Sequence, residues 1–208
     1  MVAPAPSASA QPCPEVEVIF ARGTYEPPGV GGIGQEFVDA VRTQAAPRSV
    51  DVYAVNYPAN TDFRTAIDGI RDAANRIQAT AANCPDTEMV LGGFSQGAAV
   101  AGFVTNDAVP DGALDLDVPQ PMAPEIADHV AAVALFGKPS NEFMNMIGFP
   151  PVTIGPLYKD KTIEQCVPND PICADHGEGW AHNLYGSNGM VSDAAAFAVS
   201  RLKPLAAT

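Results

Sequence analysis

At 208 residues the chain suits one domain, long enough to bury a sizeable core without staples. Hydrophobic residues make up 47% of it, which excludes a disordered chain. Asp and Glu number 24 against 11 Lys and Arg, a net charge of −13 with no basic stripe, so neither nucleic acid nor an anionic membrane is expected as a partner.

Residues 1–12 are rich in Ala, Pro and Ser and lack the apolar stretch of a signal peptide. They read as a flexible lead, and 13–208 as a single domain of a mature exported chain. The first strand is predicted at Val16–Ala21, then a helix with Ile33, Phe37 and Val41 at a spacing of four. Gly31-Gly32-Ile33-Gly34 lacks the Lys-Ser/Thr of a P-loop and the spacing of a dinucleotide fingerprint, and reads as a flexible rim loop. A second strand at Val50–Val55 precedes a helix capped near Thr61-Asp62, on which Phe63, Ile67, Ile70, Ala74 and Ile77 recur at helical spacing.

The third strand is predicted at Glu88–Leu91. Val109 to Pro124, with its four prolines and a run of acids, reads as a surface loop. A fourth strand at Val130–Phe136 feeds an irregular segment, Gly137 to Tyr158, that leaves the carboxyl edge of the sheet, where open α/β folds bind ligands. A short strand at Thr162–Gln165 and a last helix from about Ser192 to Leu202, buried through Ala195, Val199 and Leu202, complete the chain. Apolar runs alternating with helical segments predict an α/β fold, a three-layer sandwich around a five-stranded, mostly parallel sheet. No run approaches the ~18 apolar residues of a membrane span.

Four cysteines, Cys13, Cys84, Cys166 and Cys173, with no CxxC or Cys/His cluster, favour disulfides over a metal site, and with them an oxidising compartment. The chain is therefore expected outside the cell or at its envelope. Of the possible pairings, closeness in sequence favours Cys166–Cys173, which leaves Cys13 for Cys84.

The densest signal is Gly93-Phe94-Ser95-Gln96-Gly97, set between the apolar run Met89–Leu91 and the small-residue run Ala98–Phe103. Strand, tight turn, helix around Gly-x-Ser-x-Gly is the context of the nucleophile elbow of α/β hydrolases. A serine needs a base to take its proton and a third group to orient that base. Of three histidines, His129 precedes a strand and belongs at the wrong edge of the sheet. His176 and His182 both follow the last strand. Spacing and aromatic neighbours favour His182. Asp160, Asp170 and Asp175 are candidate acids, and Asp170 would be held rigidly by a Cys166–Cys173 clamp, although Asn169-Asp170-Pro171 is also an ordinary turn.

Phe20-Ala21-Arg22-Gly23-Thr24, Gly92 to Gly97, Cys166-Val-Pro-Asn-Asp-Pro-Ile-Cys173 and His182-Asn-Leu-Tyr185 together make the chain resemble the cutinase family of serine esterases, close to its actinobacterial branch, from Cys13 to the last helix. The resemblance implies Ser95 as nucleophile, Asp170 as acid, His182 as base, the two disulfides as paired above, no lid domain and a serine open to solvent. It implies oxyanion donors at the backbone of Gln96 and at Thr24, where the family commonly has serine. It also implies a secreted esterase for short to medium acyl chains, in polyester, lipid or cell-envelope esters. Phe143, Met146 and Phe149 would border the site or merely cap the core. No cofactor or metal is called for, and a monomer is expected. The alternatives are a carbohydrate deacetylase or phospholipase on the same triad, or a non-catalytic secreted binding protein.

Overall fold

Strand β1 (Val16–Ala21) is buried along its whole length, because both of its faces are covered. In the computed structural model, which describes residues 12–111 and 117–205, Val16, Val18 and Phe20 enter one core, while Ile19 and Ala21 enter the other. The alternation is the pleat of a strand with helices on both sides. The predicted lead 1–12 lies, except for Pro12, outside the described residues. Strands β2 (Val50–Ala54), β3 (Glu88–Phe94), β4 (Val130–Phe136) and β5 (Thr162–Gln165) complete a sheet of order β2-β1-β3-β4-β5. All four ladders are parallel.

Helices α1 (Gly31–Ala45) and α5 (Met190–Ser200) cover one face, where Phe20, Phe37 and Phe136 pack ring against ring. Helices α2 (Ala66–Asn83) and α3 (Gln96–Val104) cover the other. A short helix α4 (Asn141–Met146) interrupts the segment read as irregular; its cap is Ser140 Oγ, which accepts the Phe143 N–H at 3.1 Å. The predicted surface loop has no helix or strand in its described parts until Pro124 opens a 3-10 turn ending at His129, at the amino end of β4. No separate lid domain is present among the described residues.

Four expectations need correction. β3 runs on through Gly92, Gly93 and Phe94, because Gly92 pairs with Phe20 and a Cβ there would stand 2.6 Å from the Phe20 ring. Those glycines serve strand packing before they serve the turn. Gly31 to Gly34 form the first turn of α1 rather than a rim loop: the Glu26 carboxylate accepts the Gly23 and Gly32 N–H groups at 2.6 and 2.7 Å and fixes the entry. α2 is preceded by a 3-10 turn at Phe63–Thr65, and neither Asp62 nor Thr65 makes a side-chain cap. α5 starts at Met190 behind Gly189, whose φ of 86° suits glycine. Its buried stripe is Val191, Ala194, Ala195 and Ala198, with Val199 only partly covered.

Chain direction reverses between β1 and β3: from β1 the chain goes outward to β2, and from β3 outward to β5. Such a switch point opens a crevice at the carboxyl ends of the two strands. Ser95 follows one of them and Thr24 the other.

Candidate active site

Ser95 sits where β3 turns into α3, at φ 56° and ψ −119°. A non-glycine residue there is strained and needs its surroundings to hold it. The Ser95 N–H donates to Phe136 O at 2.8 Å, and Ser95 O accepts from the Ala98 N–H at 2.9 Å. A Cβ on Gly93 would run into Gly97 O, and one on Gly97 into Ala21 O. The two outer glycines of the pentapeptide are thus steric requirements of the turn. The Ser95 hydroxyl makes no capping bond to α3, so it is not committed to holding the helix.

The Gln96 N–H opens α3, where a helix has no internal partner for its donors and carries partial positive charge. The Gln96 side chain is buried and donates to Asn60 O at 2.9 Å. Thr24 lies on the loop after β1, and that loop is fastened from below. Arg22, only 4% exposed, donates to Glu26 O at 2.9 Å and Tyr57 O at 2.6 Å, with its guanidinium 5.1 Å from the centre of the Tyr57 ring. Tyr57 Oη in turn donates to Arg22 O. The Tyr25 N–H donates to Ala59 O at 2.7 Å, which ties the same loop to the segment that holds Gln96.

Asp170 is completely buried. Its Oδ2 accepts from His182 Nδ1 at 2.7 Å and from Tyr185 Oη at 2.5 Å, and its Oδ1 from the Ile172 N–H at 2.9 Å. Burial pushes the carboxyl pKa up, but the hydrogen bonds from His182, Tyr185 and the Ile172 backbone outweigh it and hold Asp170 below the ordinary carboxylate range. An ionised Asp170 requires the proton on His182 Nδ1, which leaves Nε2 as an acceptor. Among the described residues Nε2 is buried with no hydrogen-bond partner. The imidazole stacks on Phe94 at 4.8 Å between ring centres. Gly137, at φ 58°, leaves room for the group: a Cβ there would lie 3.0 Å from both His182 Cε1 and Tyr185 Oη.

Two disulfides frame this region and the chain start. Cys166–Cys173 closes the turn that carries Asp170, and Cys13–Cys84 ties the residues before β1 to the end of α2. The remaining candidates stand apart. Asp160, Asp175 and His176 are exposed, and His129 lies at the opposite edge of the sheet.

Ser95, Gln96, Thr24 and His182 open onto one cavity of about 260 Å³. No hydrogen bond joins Ser95 to His182 in this structure; such bonds are often long without substrate and tighten when it binds. Phe143 and Phe149 line the cavity, as expected, but Met146 does not and is 72% exposed. On α4 Met146 stands about 160° around the helix from Met144, at ~100° per residue, and it is Met144 that is buried and lines the cavity beside Phe143. Val109, Pro110 and Val118 to Met122 also line it, so the described parts of the predicted surface loop flank the site. Tyr185 and Gly137 were not singled out for a role by sequence. The signals were an aromatic three residues after the histidine and a glycine directly after β4.

The family profile described as Cutinase matches residues 12–202 of the chain. The probable carboxylesterase Culp5 of Mycobacterium tuberculosis (strain ATCC 25618 / H37Rv) is 58% identical over 172 residues, 83% of this chain and 98% of that protein. Phospholipase Culp4 of the same organism is 46% identical over 198 residues, 95% of this chain and 83% of that protein. Among solved structures, a Trichoderma reesei cutinase in complex with a phosphonate inhibitor is similar with a TM-score of 0.69 at 30% identity, covering 93% of this chain and 78% of that one.

Proposed function

We propose, on the premise that the chain belongs to the cutinase family and is a carboxylic ester hydrolase, that Ser95, His182 and Asp170 carry the reaction through an acyl-enzyme. Ser95 Oγ attacks the ester carbonyl and its proton passes to His182 Nε2. The oxyanion that forms accepts from the backbone N–H of Gln96 and from Thr24, held by the Arg22–Glu26 loop. On collapse the carbon–alkoxy bond breaks, and Nε2 returns its proton to the leaving alcohol. Water then attacks the acyl carbon and gives a proton to Nε2; the bond from that carbon to Ser95 Oγ breaks, Nε2 returns the proton to Oγ, and the acid leaves.

The observation that carries this reading is the Asp170–His182 hydrogen bond with Nε2 left free, in a cavity shared with a strained serine. Ser95→Ala is expected to lower kcat/KM on p-nitrophenyl butyrate by at least about 10³-fold and to abolish covalent labelling by a fluorophosphonate. Full activity of that variant, with labelling retained, would sink the assignment. Two disulfides support an exported protein.

A phospholipase is the second reading, favoured by the 46% identity to a protein so named. Release of fatty acid from phosphatidylcholine vesicles by the wild type, absent in Ser95→Ala, is its test. Hydrolysis of soluble esters alone decides against it.

A further inference from the structure

The cavity at Ser95 is much deeper than a site for a short acyl group requires. Its lining follows α2 from Ala66 to Ala74 and α3 from Gln96 to Val104, a depth of about 12 Å along each helix at ~1.5 Å per residue. Both helices start at the carboxyl edge of the sheet, so Ala74 and Val104 mark the deep end and Ser95 the mouth. Among the described residues, the polar lining groups near the mouth are the reacting groups themselves; elsewhere only Asn106 and Gln120 are polar, and no ionisable side chain besides His182 contributes.

This depth is covered. Phe63 meets Phe143 and Phe149 edge to face at 6.5 and 6.4 Å, a bridge from the turn before α2 to α4 and the segment after it. Further down, Val118 to Met122 line the outer wall, and Arg71 of α2 fastens that strap by donating to Asp117 O at 2.8 Å and Asp117 Oδ2 at 2.9 Å. Water in such a space finds few partners, whereas a hydrocarbon loses nothing by entering it.

Which half of an ester enters follows from the position of His182. The imidazole packs with Phe94 and Tyr185 on the α1/α5 side of the sheet, while the deep cavity lies on the α2/α3 side. His182 must reach the leaving oxygen, so the alcohol stays on its side and the acyl chain points away, into the depth.

We propose that the cavity is an acyl tunnel and that the enzyme acts on esters of unbranched fatty acids of about ten carbons or more, C–C bonds of about 1.5 Å in zigzag filling its length with the tail between α2 and the Val118–Met122 strap. The inference rests on Ser95 and His182 acting as proposed above. It moves the preferred chain beyond the short end of the range that the family resemblance implies.

The test is a p-nitrophenyl ester series from acetate to hexadecanoate, with active sites titrated by a fluorophosphonate. For the wild type, kcat/KM is expected to rise roughly two- to fourfold per added methylene until the tunnel is full. Ala74→Phe fills the deep end, and Val118→Trp narrows the strap without touching the sheet core. Each is expected to lower the decanoate-to-butyrate ratio at least tenfold. Methyl decanoate is expected to be a better substrate than decyl acetate. A profile that is flat or falls from acetate, or a preference for decyl acetate, overturns the proposal. So does an unchanged ratio in both variants. Activity that persists in Ser95→Ala instead removes the triad, and is read separately on the butyrate ester. Direct binding gives a readout free of turnover: Ser95→Ala protein is expected to bind sodium decanoate, and to lose at least tenfold in affinity when Val118→Trp is added.

Discussion

Glu17 and Asp170 are both carboxylates sealed from solvent, at 1% and 0% exposure, but they sit at opposite ends of the sheet and hold different partners. Glu17, near the start of β1, receives Nε of Arg76 at 2.9 Å and Oγ1 of Thr80 at 2.7 Å, both from α2. Every partner is permanently charged or non-titrating, and the cavity does not reach it. Asp170, beyond β5, receives an imidazole and a phenol, and the imidazole has a second nitrogen turned toward Ser95's cavity. Burial makes any carboxylate demand satisfaction. What gives one a chemical role is a partner able to pass a proton onward.

The largest expected effect comes from Asp170. Asp170→Asn keeps the size of the side chain but no longer imposes the Nδ1–H tautomer, so kcat/KM on p-nitrophenyl butyrate is expected to fall roughly 10³- to 10⁴-fold. The same change should alter acid stability in a definite direction. Asp170 titrates below its ordinary value when folded, so the unfolded chain takes up that proton first. Its contribution is complete above about pH 4, the ordinary Asp range, and is lost as pH falls through the lower folded value. Urea unfolding of the wild type and of Asp170→Asn should therefore differ least at the most acidic pH. A gap independent of pH would show that Asp170 is not held ionised.

Glu17→Gln should do the reverse: little to the reaction, something to the fold. Arg76 keeps 40% side-chain exposure and can rehydrate, so the loss is about 1–2 kcal/mol in urea unfolding rather than the value of a fully buried pair. Turnover is expected to stay within twofold of the wild type. A tenfold drop in kcat with normal stability would erase the contrast between the two carboxylates.

The contrast also marks what was legible in the sequence. Ser95, Asp170 and His182 announce themselves through local patterns: a pentapeptide between strand and helix, an acid between two cysteines, a histidine beyond the last strand. β1 and β4 were readable to the residue because each is a compact run rich in apolar side chains; the bounds of β5, Thr162-Ile-Glu-Gln165, also held, but without an apolar run to mark them. Glycine misled twice, in Gly92–Gly93 and in Gly31–Gly34. Its meaning at those places is set by Phe20 and Glu26, which only the fold brings near. Met146 was misplaced because composition reports how apolar a segment is and not which way a single helical turn faces. The depth of the cavity was out of reach altogether, since its walls come from α2, α3, α4 and the described parts of 109–122.

The smallest effect on the triad concerns Tyr185, a residue that belongs to Asp170's surroundings without touching substrate. Tyr185 is fully buried, and its hydroxyl donates to the same Oδ2 that accepts from His182. Tyr185→Phe preserves the ring contacts with Phe94 and Phe136 at 5.6 and 6.2 Å, and deletes the donor to Asp170 together with the acceptor of the Val167 N–H at 3.3 Å. The carboxylate keeps His182 and the Ile172 N–H, so it is not stranded, but the buried Val167 N–H loses its acceptor, and the expected loss is about 1–3 kcal/mol of stability. A purely structural role ends there. A positioning role predicts two further results: kcat lowered roughly three- to tenfold with KM unchanged, and the acid limb of stability moved to higher pH. The second follows because burial raises the Asp170 pKa while the Tyr185 bond is one of the groups that lower it. Once that bond is gone, the folded value climbs toward the unfolded one, and the stability held by ionised Asp170 shrinks. If kcat and the acid limb both match the wild type while stability drops, Tyr185 is packing for Asp170 and His182 alone orients it.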